Sequence, residues 1–193
     1  KIIGGVERPT GGSISLDGLD LKGLPIHIRA QRGLTFLPQE TSLFRGLTVQ
    51  ENVRIYLKEG AAHGKSETKV ASESLEQLNI LELKNKGATN LSAGQKRKVE
   101  MARALVLSPI YLMLDEPFSD LDPRSVAEIK EILVSLKKDE GIGILLSDHR
   151  ANEALSIADH NHLIKDGRII ARGGSEEIVE SEEAKRFYFA VGD

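Results

Sequence analysis

Three short apolar runs constrain this chain more than any other feature: Leu34-Thr35-Phe36-Leu37, residues 110–114 and residues 142–146. None alternates strictly between apolar and polar residues, so each reads as a strand buried on both faces. Strands of that kind belong to parallel sheets, whose crossover connections place helices over the faces. The intervening segments supply those helices. Ala71, Leu75, Leu78 and Leu81, then Val99, Ala102, Leu105 and Val106, then Val126, Ile129, Leu133 and Leu136 recur at helical spacing. Asp122 followed by Pro123 predicts the start of the last helix, because the carboxylate accepts from free backbone N–H groups and proline sits where no N–H is needed. Pro109 predicts the end of the helix before it. Strands alternating with helices predict an α/β fold.

Two hairpins flank this core. Within residues 13–21, Ile14 and Leu16 precede Asp17-Gly18 and Leu19 and Leu21 follow it; near the C-terminus, Asp166-Gly167 lies between Leu163-Ile164 and Ile169-Ile170. Asp-Gly suits a type I′ turn. Residues 41–106 show helical patterning with a polar loop around Gly60 to Lys69 and read as a helical insertion; residues 176–180 and 182–189 read as peripheral helices. No internal repeat is visible.

Composition removes several classes of function. The 193 residues carry 26 basic and 29 acidic side chains, a formal charge of −3, with 40% apolar and 28% charged residues. Such a chain is neither disordered throughout nor of low complexity. It contains no cysteine, which excludes disulfides, thiolate metal sites and a cysteine nucleophile, and fits a reducing compartment. Its apolar stretches fall far short of the ~20 residues of a membrane-spanning helix, so any membrane association is expected to be peripheral. The acidic balance offers no general footprint for nucleic acid. With no initiator Met and no signal-peptide layout, the chain is expected to open inside a longer one.

Four segments carry chemistry. Leu91-Ser92-Ala93-Gly94-Gln95, followed by Lys96-Arg97-Lys98 and Ala102-Arg103-Ala104-Leu105, places small residues at a helix start, where free N–H groups and the helix dipole favour an anion and Ser92 adds a hydroxyl donor. An ordinary N-cap is the alternative. Residues 110–114 deliver Asp115 and Glu116, followed by Pro117, to the end of a strand, where ligands of open α/β sheets bind. Asp115 suits a hydrated Mg²⁺ and Glu116 suits a water attacking phosphorus, although two acids after a strand also fit a solvated turn. Leu145-Leu146-Ser147-Asp148-His149 ends another strand in a histidine able to donate to a phosphoryl oxygen or to serve as a packing residue. Phe36-Leu37-Pro38-Gln39-Glu40 breaks a strand at proline and presents Gln39, whose amide oxygen could reach a metal-bound water. His27, His63, His160 and His162 have no such context.

Taken in this order, the residues resemble the ATPase subunit of ABC transporters over nearly the whole chain. Gln39 matches the Q-loop, residues 91–95 the signature, Asp115 and Glu116 the Walker B pair, residues 119–122 the D-loop and His149 the switch histidine. The resemblance implies a RecA-like P-loop NTPase core with an antiparallel β subdomain and a helical subdomain. Residues 1–39 and 107–193 would form the core with the β subdomain and C-terminal helices, and residues 40–106 the helical subdomain of one partial ABC ATPase domain. It implies ATP and Mg²⁺ as cofactors, with Glu116 and His149 catalytic and Asp115 and Gln39 on the metal. Gln39, Ser92, Ala93, Gly94, Gln95 and Asp122 would contact nucleotide. The implied partners are a second copy, arranged head to tail, and two transmembrane permease subunits, with no nucleic acid. Membrane contact would be indirect, on the cytoplasmic face of the inner membrane.

Two departures matter. Ala93 stands where the family usually has glycine, which requires a negative φ there. No G-x-x-x-x-G-K-[ST] occurs in the 193 residues; in the family that loop precedes a helix ending where Ile2-Ile3-Gly4 stands, so the loop is expected upstream of Lys1. Within the family, the stretch from Leu24-Pro25-Ile26-His27 to Arg32-Gly33, that from Leu37-Pro38-Gln39-Glu40 to Ser42-Leu43-Phe44-Arg45, and Lys185-Arg186-Phe187-Tyr188 are similar to the ATPase of lipopolysaccharide export. Phe44 and Arg45 are the expected interface with the permeases, with a packed Phe44 as the alternative. The similar ATPases of branched-chain amino-acid importers, and a docking module without hydrolysis, remain as other readings.

Overall fold

The computed structural model describes residues 1–57 and 66–188. Residues 1–147 form one compact unit, and a second begins at Asp148. In the first, β1 (Ser15–Leu16) and β2 (Leu19–Asp20) pair antiparallel with Leu16 opposite Leu19. Asp17 and Gly18 sit at φ 48° and 79°, the two positive values a type I′ turn needs. The chain continues through α1 (Ile26–Gln31), β3 (Leu34–Leu37), α2 (Val49–Arg54) and α3 (Glu67–Gln77). Two 3₁₀ turns, Leu81–Leu83 and Ala88–Asn90, lead into α4 (Ala93–Leu105). Then follow β4 (Tyr111–Asp115), α5 (Pro123–Glu140) and β5 (Gly143–Ser147).

The three apolar runs form one parallel sheet in the order β3-β4-β5, with Leu34 opposite Tyr111 and Asp115 opposite Ser147. Leu21, Leu34 and Met113 are buried together, with Ile14, Leu16, Leu24, Phe36 and Tyr111 packed around them, so the β1–β2 hairpin covers part of the sheet. Val126, Ile129, Leu133 and Leu136 are all buried along α5, as their spacing requires. That helix starts on Asp122, whose carboxylate accepts from the N–H groups of Arg124 and Ser125, and stops at Gly141 with φ 69°. Glycine meets the left-handed requirement there without a Cβ penalty.

Two expectations need correction. β5 is not buried on both faces: among the described residues it is an edge strand of this sheet, and Leu145 is 51% exposed. An edge strand has one paired neighbour, and α5 packs against it from one side. The C-terminal end of the expected polar loop is helical instead, because α3 already begins at Glu67 and Ser66 caps it by accepting the Lys69 N–H. The rest of the segment expected as a loop, His63 included, lies outside the described residues.

The second unit contains α6 (Ala151–Leu155), β6 (Asn161–Lys165), β7 (Arg168–Gly173), α7 (Ser175–Glu180) and α8 (Glu182–Phe187). β6 and β7 form the second antiparallel hairpin, with Asp166 and Gly167 at φ 50° and 73° and a register shift between Leu163 and Ile164. Phe189, expected in the last helix, lies outside the described residues. Among the described residues no helix is long and apolar enough to cross a membrane.

Candidate active site

Parallel strands end together, so the carboxyl edge of the sheet gathers residues far apart in sequence. Gln39 stands two residues past β3, Asp115 is the last residue of β4, and Ser147 is the last of β5. The Gln39 side-chain amide donates to Glu116 Oε2 at 2.8 Å. The Ser147 hydroxyl donates to Asp115 Oδ1 at 2.6 Å, and the Glu116 N–H donates to the Ser147 carbonyl at 2.7 Å. Glu116 takes φ 46°, an uncommon value for a residue with a side chain, of the kind that clusters at functional sites. The two acids are therefore held from both neighbouring strands, unlike those of a freely solvated turn. Their donors are hard oxygens, and among the described residues no cluster of three or more His, Cys, Asp or Glu could hold a metal unaided. One carboxylate at such an edge suits Mg²⁺, which keeps several waters and binds substrate phosphates.

Helix α4 fastens this edge to the segment after β3. Arg97 donates to the Pro38 carbonyl at 2.9 Å and to the Asp115 carbonyl at 3.2 Å, and pairs with Glu100 at 3.3 Å, both side chains being buried. Glu100 in turn accepts the Ser42 N–H at 2.8 Å, and Arg103 donates to the Ser42 carbonyl at 2.8 Å. Burial pushes the Glu100 carboxyl up from its ordinary range, with the Ser42 N–H and Arg97 acting against that. Arg103 also lies over the rings of Tyr56, at 4.2 Å, and Phe44, at 5.5 Å. Asn52 accepts the Phe44 N–H and donates to the Phe44 carbonyl. Sequence reasoning missed Arg97, Glu100 and Arg103 as a group. Their signal is a charged stripe at every third position of a helix otherwise rich in small and apolar residues.

At the head of α4, Ser92 is an N-cap in a capping box: its hydroxyl, expected as a donor, accepts the Gln95 N–H, and Gln95 Oε1 accepts the Ser92 N–H. Ala93 is the first helical residue and has no positive φ, so its methyl is tolerated. A Cβ on Gly94 would lie 2.4 Å from Ser125 Oγ, so glycine here serves the close approach of α4 to the start of α5. The basic stretch after it is not a free patch, since Arg97 is engaged as above and Lys98 pairs with Glu128 at 2.8 Å. Asp122 caps α5 and accepts the Ser125 hydroxyl at 2.5 Å, which holds its carboxyl below the usual range. The structure thus joins Gln39, Asp115 and Glu116 at one edge, while residues 92–95 and Asp122 stand at two helix starts. His149 belongs to the second unit, where its side chain is 63% exposed beside Asp148, with Nδ1 3.9 Å from the carboxylate. Phe44 is 47% exposed and Arg45 is exposed.

A parallel sheet whose carboxyl edge offers a tethered Asp-Glu pair to a strand-end glutamine is the build of a RecA-like α/β nucleoside triphosphatase. The chain belongs to the ABC transporter family, whose profile matches residues 1–119. It is 41% identical over 187 residues to the lipopolysaccharide export system ATP-binding protein LptB of Haemophilus influenzae, covering 95% of this chain and 76% of that protein. It is 38% identical over 189 residues to LptB of Escherichia coli K12, with coverages of 97% and 77%. Among solved structures, the ADP conformation of the ATP-binding cassette MJ1267 superposes with a TM-score of 0.85 at 25% identity, covering 98% of this chain and 81% of that one. The cbiO1 subunit from Clostridium perfringens gives 0.79 at 29% identity, with coverages of 96% and 74%.

Proposed function

We propose that this chain is the ATP-binding and ATP-hydrolysing subunit of a transporter that exports lipopolysaccharide from the inner membrane. The hydrogen bond from Gln39 to Glu116 carries the chemical part of this reading, because it sets a carboxylate and an amide on one prospective water at the edge where Asp115 ends its strand. The cargo rests on the likeness to LptB over nearly the whole chain. Glu116 polarises the attacking water, His149 donates to the γ-phosphate, and Asp115 and Gln39 hold the metal's water shell. Bound Mg²⁺ supplies charge neutralisation at the phosphate oxygens. Ser92, Ala93, Gly94 and Gln95, with Asp122, face the nucleotide of a second copy in a head-to-tail dimer. Residues 40–106 form the helical subdomain, and Phe44 and Arg45 meet one of two permease subunits, which keep the ATPase on the cytoplasmic face of the membrane. The dimeric, ADP-and-phosphate-bound structure of the cassette MJ0796, at 27% identity and a TM-score of 0.78, supports the pairing of two copies.

Glu116→Gln in the full-length gene product tests the reading. The amide keeps the shape and loses the base, so nucleotide binding should persist while turnover falls by at least about a hundredfold. Hydrolysis at the parental rate would remove Glu116 from its role, and a parent that binds ATP without hydrolysing it would leave a docking module as the better description. For the cargo, the full-length protein should sustain lipopolysaccharide delivery when it replaces LptB in Escherichia coli, and stalled export despite normal assembly would overturn that part.

A further inference from the structure

We propose that Ser147 is a positioning residue for phosphoryl transfer, orienting Asp115 with its hydroxyl and Glu116 with its carbonyl. The inference rests on the ATPase reading above. Parallel pairing puts Ser147 opposite Asp115 at the last rung of the sheet, and the two contacts run from one residue to both acids. The hydroxyl donates to Asp115 Oδ1 at 2.6 Å, within the short range of bonds to an ionised oxygen. That bond holds Oδ1 to the protein and so restricts the rotation of the carboxylate. The carbonyl accepts the Glu116 N–H at 2.7 Å and so holds the backbone of a residue at φ 46°. Displacing the end of β5 would therefore move the metal-side carboxylate and the water-side backbone together. Packing gives no reason for a hydroxyl here, because Ser147 is exposed. Serine also suits the place chemically: threonine would keep both contacts, whereas alanine would keep the carbonyl and lose the hydroxyl.

Those two substitutions separate the roles. In the full-length gene product, Mn²⁺ binding in the presence of ADP is read by electron paramagnetic resonance, together with the Mg²⁺ dependence of ATP hydrolysis. Ser147→Ala should weaken Mn²⁺ binding and raise the Mg²⁺ needed for half-maximal rate, each by about tenfold, the lower end of losses for residues that orient metal ligands. Metal-free ADP binding and the melting temperature should stay at parental values, and Ser147→Thr should restore the Mn²⁺ affinity. Parental Mn²⁺ affinity in the alanine variant would overturn the inference, as would a threonine variant no better than alanine. If Ser147→Ala is parental while the parent hydrolyses ATP, the Ser147 inference alone fails; if the parent itself does not hydrolyse Mg·ATP, the ATPase reading fails with it.

Discussion

Glu116 and Gly94 show how single backbone positions are spent at this site. Glu116 accepts a left-handed φ of 46°, which a glycine would adopt freely; its carboxylate is what the position keeps in exchange. At Gly94 the reverse holds, since a Cβ would lie 2.4 Å from Ser125 Oγ and 2.8 Å from Ser125 Cβ. The serine cannot swing away cheaply, because its hydroxyl is held by Asp122 at 2.5 Å. Gly94→Ala is therefore expected to destabilise the fold by about 1–3 kcal/mol despite the better helix propensity of alanine. In a Ser125→Gly background the same substitution should cost less, a coupling that denaturant unfolding of the four variants measures. Equal costs in both backgrounds would show that Ser125 is not the obstacle.

Helix α4, capped by Ser92, reaches the carboxyl edge through Arg97, and Glu100 is a buried carboxyl along that link. Burial raises its carboxyl above the ordinary range, so the folded state binds a proton more tightly than the unfolded chain does. The associated stability is complete below the unfolded value, near 4.5, and is lost as pH rises through the higher folded value. Glu100→Gln removes that titration while keeping an acceptor for the Ser42 N–H. Urea midpoints measured from acid to neutral pH should fall less steeply with rising pH in the variant than in the parent. Identical slopes would place the proton elsewhere. The helix itself was legible from Val99, Ala102, Leu105 and Val106. Its anchoring role was not, because Pro38, Ser42 and Asp115 meet it only after the sheet has formed.

At the scale of the whole molecule, Phe44 and Ile55 are 47% and 51% exposed, so neither contributes a closed core, and Arg103 lies beside the Phe44 ring. Phe44→Ala should leave the thermal transition of the full-length protein in place and reduce its co-purification with transmembrane subunits, as expected of an aromatic interface anchor. Undiminished co-purification, or unfolding of the variant, would return Phe44 to the packed alternative. Local chemistry made much of this protein readable. Asp-Gly at both hairpins dictates two positive φ values, Asp122-Pro123 dictates a helix start, and three apolar runs dictate a parallel sheet, because each depends on residues adjacent in sequence. The tie between Gln39 and Glu116 spans 77 positions and that between Ser147 and Asp115 spans 32. The half-exposed state of β5 and the burial of Arg97, Glu100 and Arg103 likewise depend on which elements become neighbours. Strand order and register decide those contacts, since closing such long loops is rewarded only by the packing of the assembled sheet.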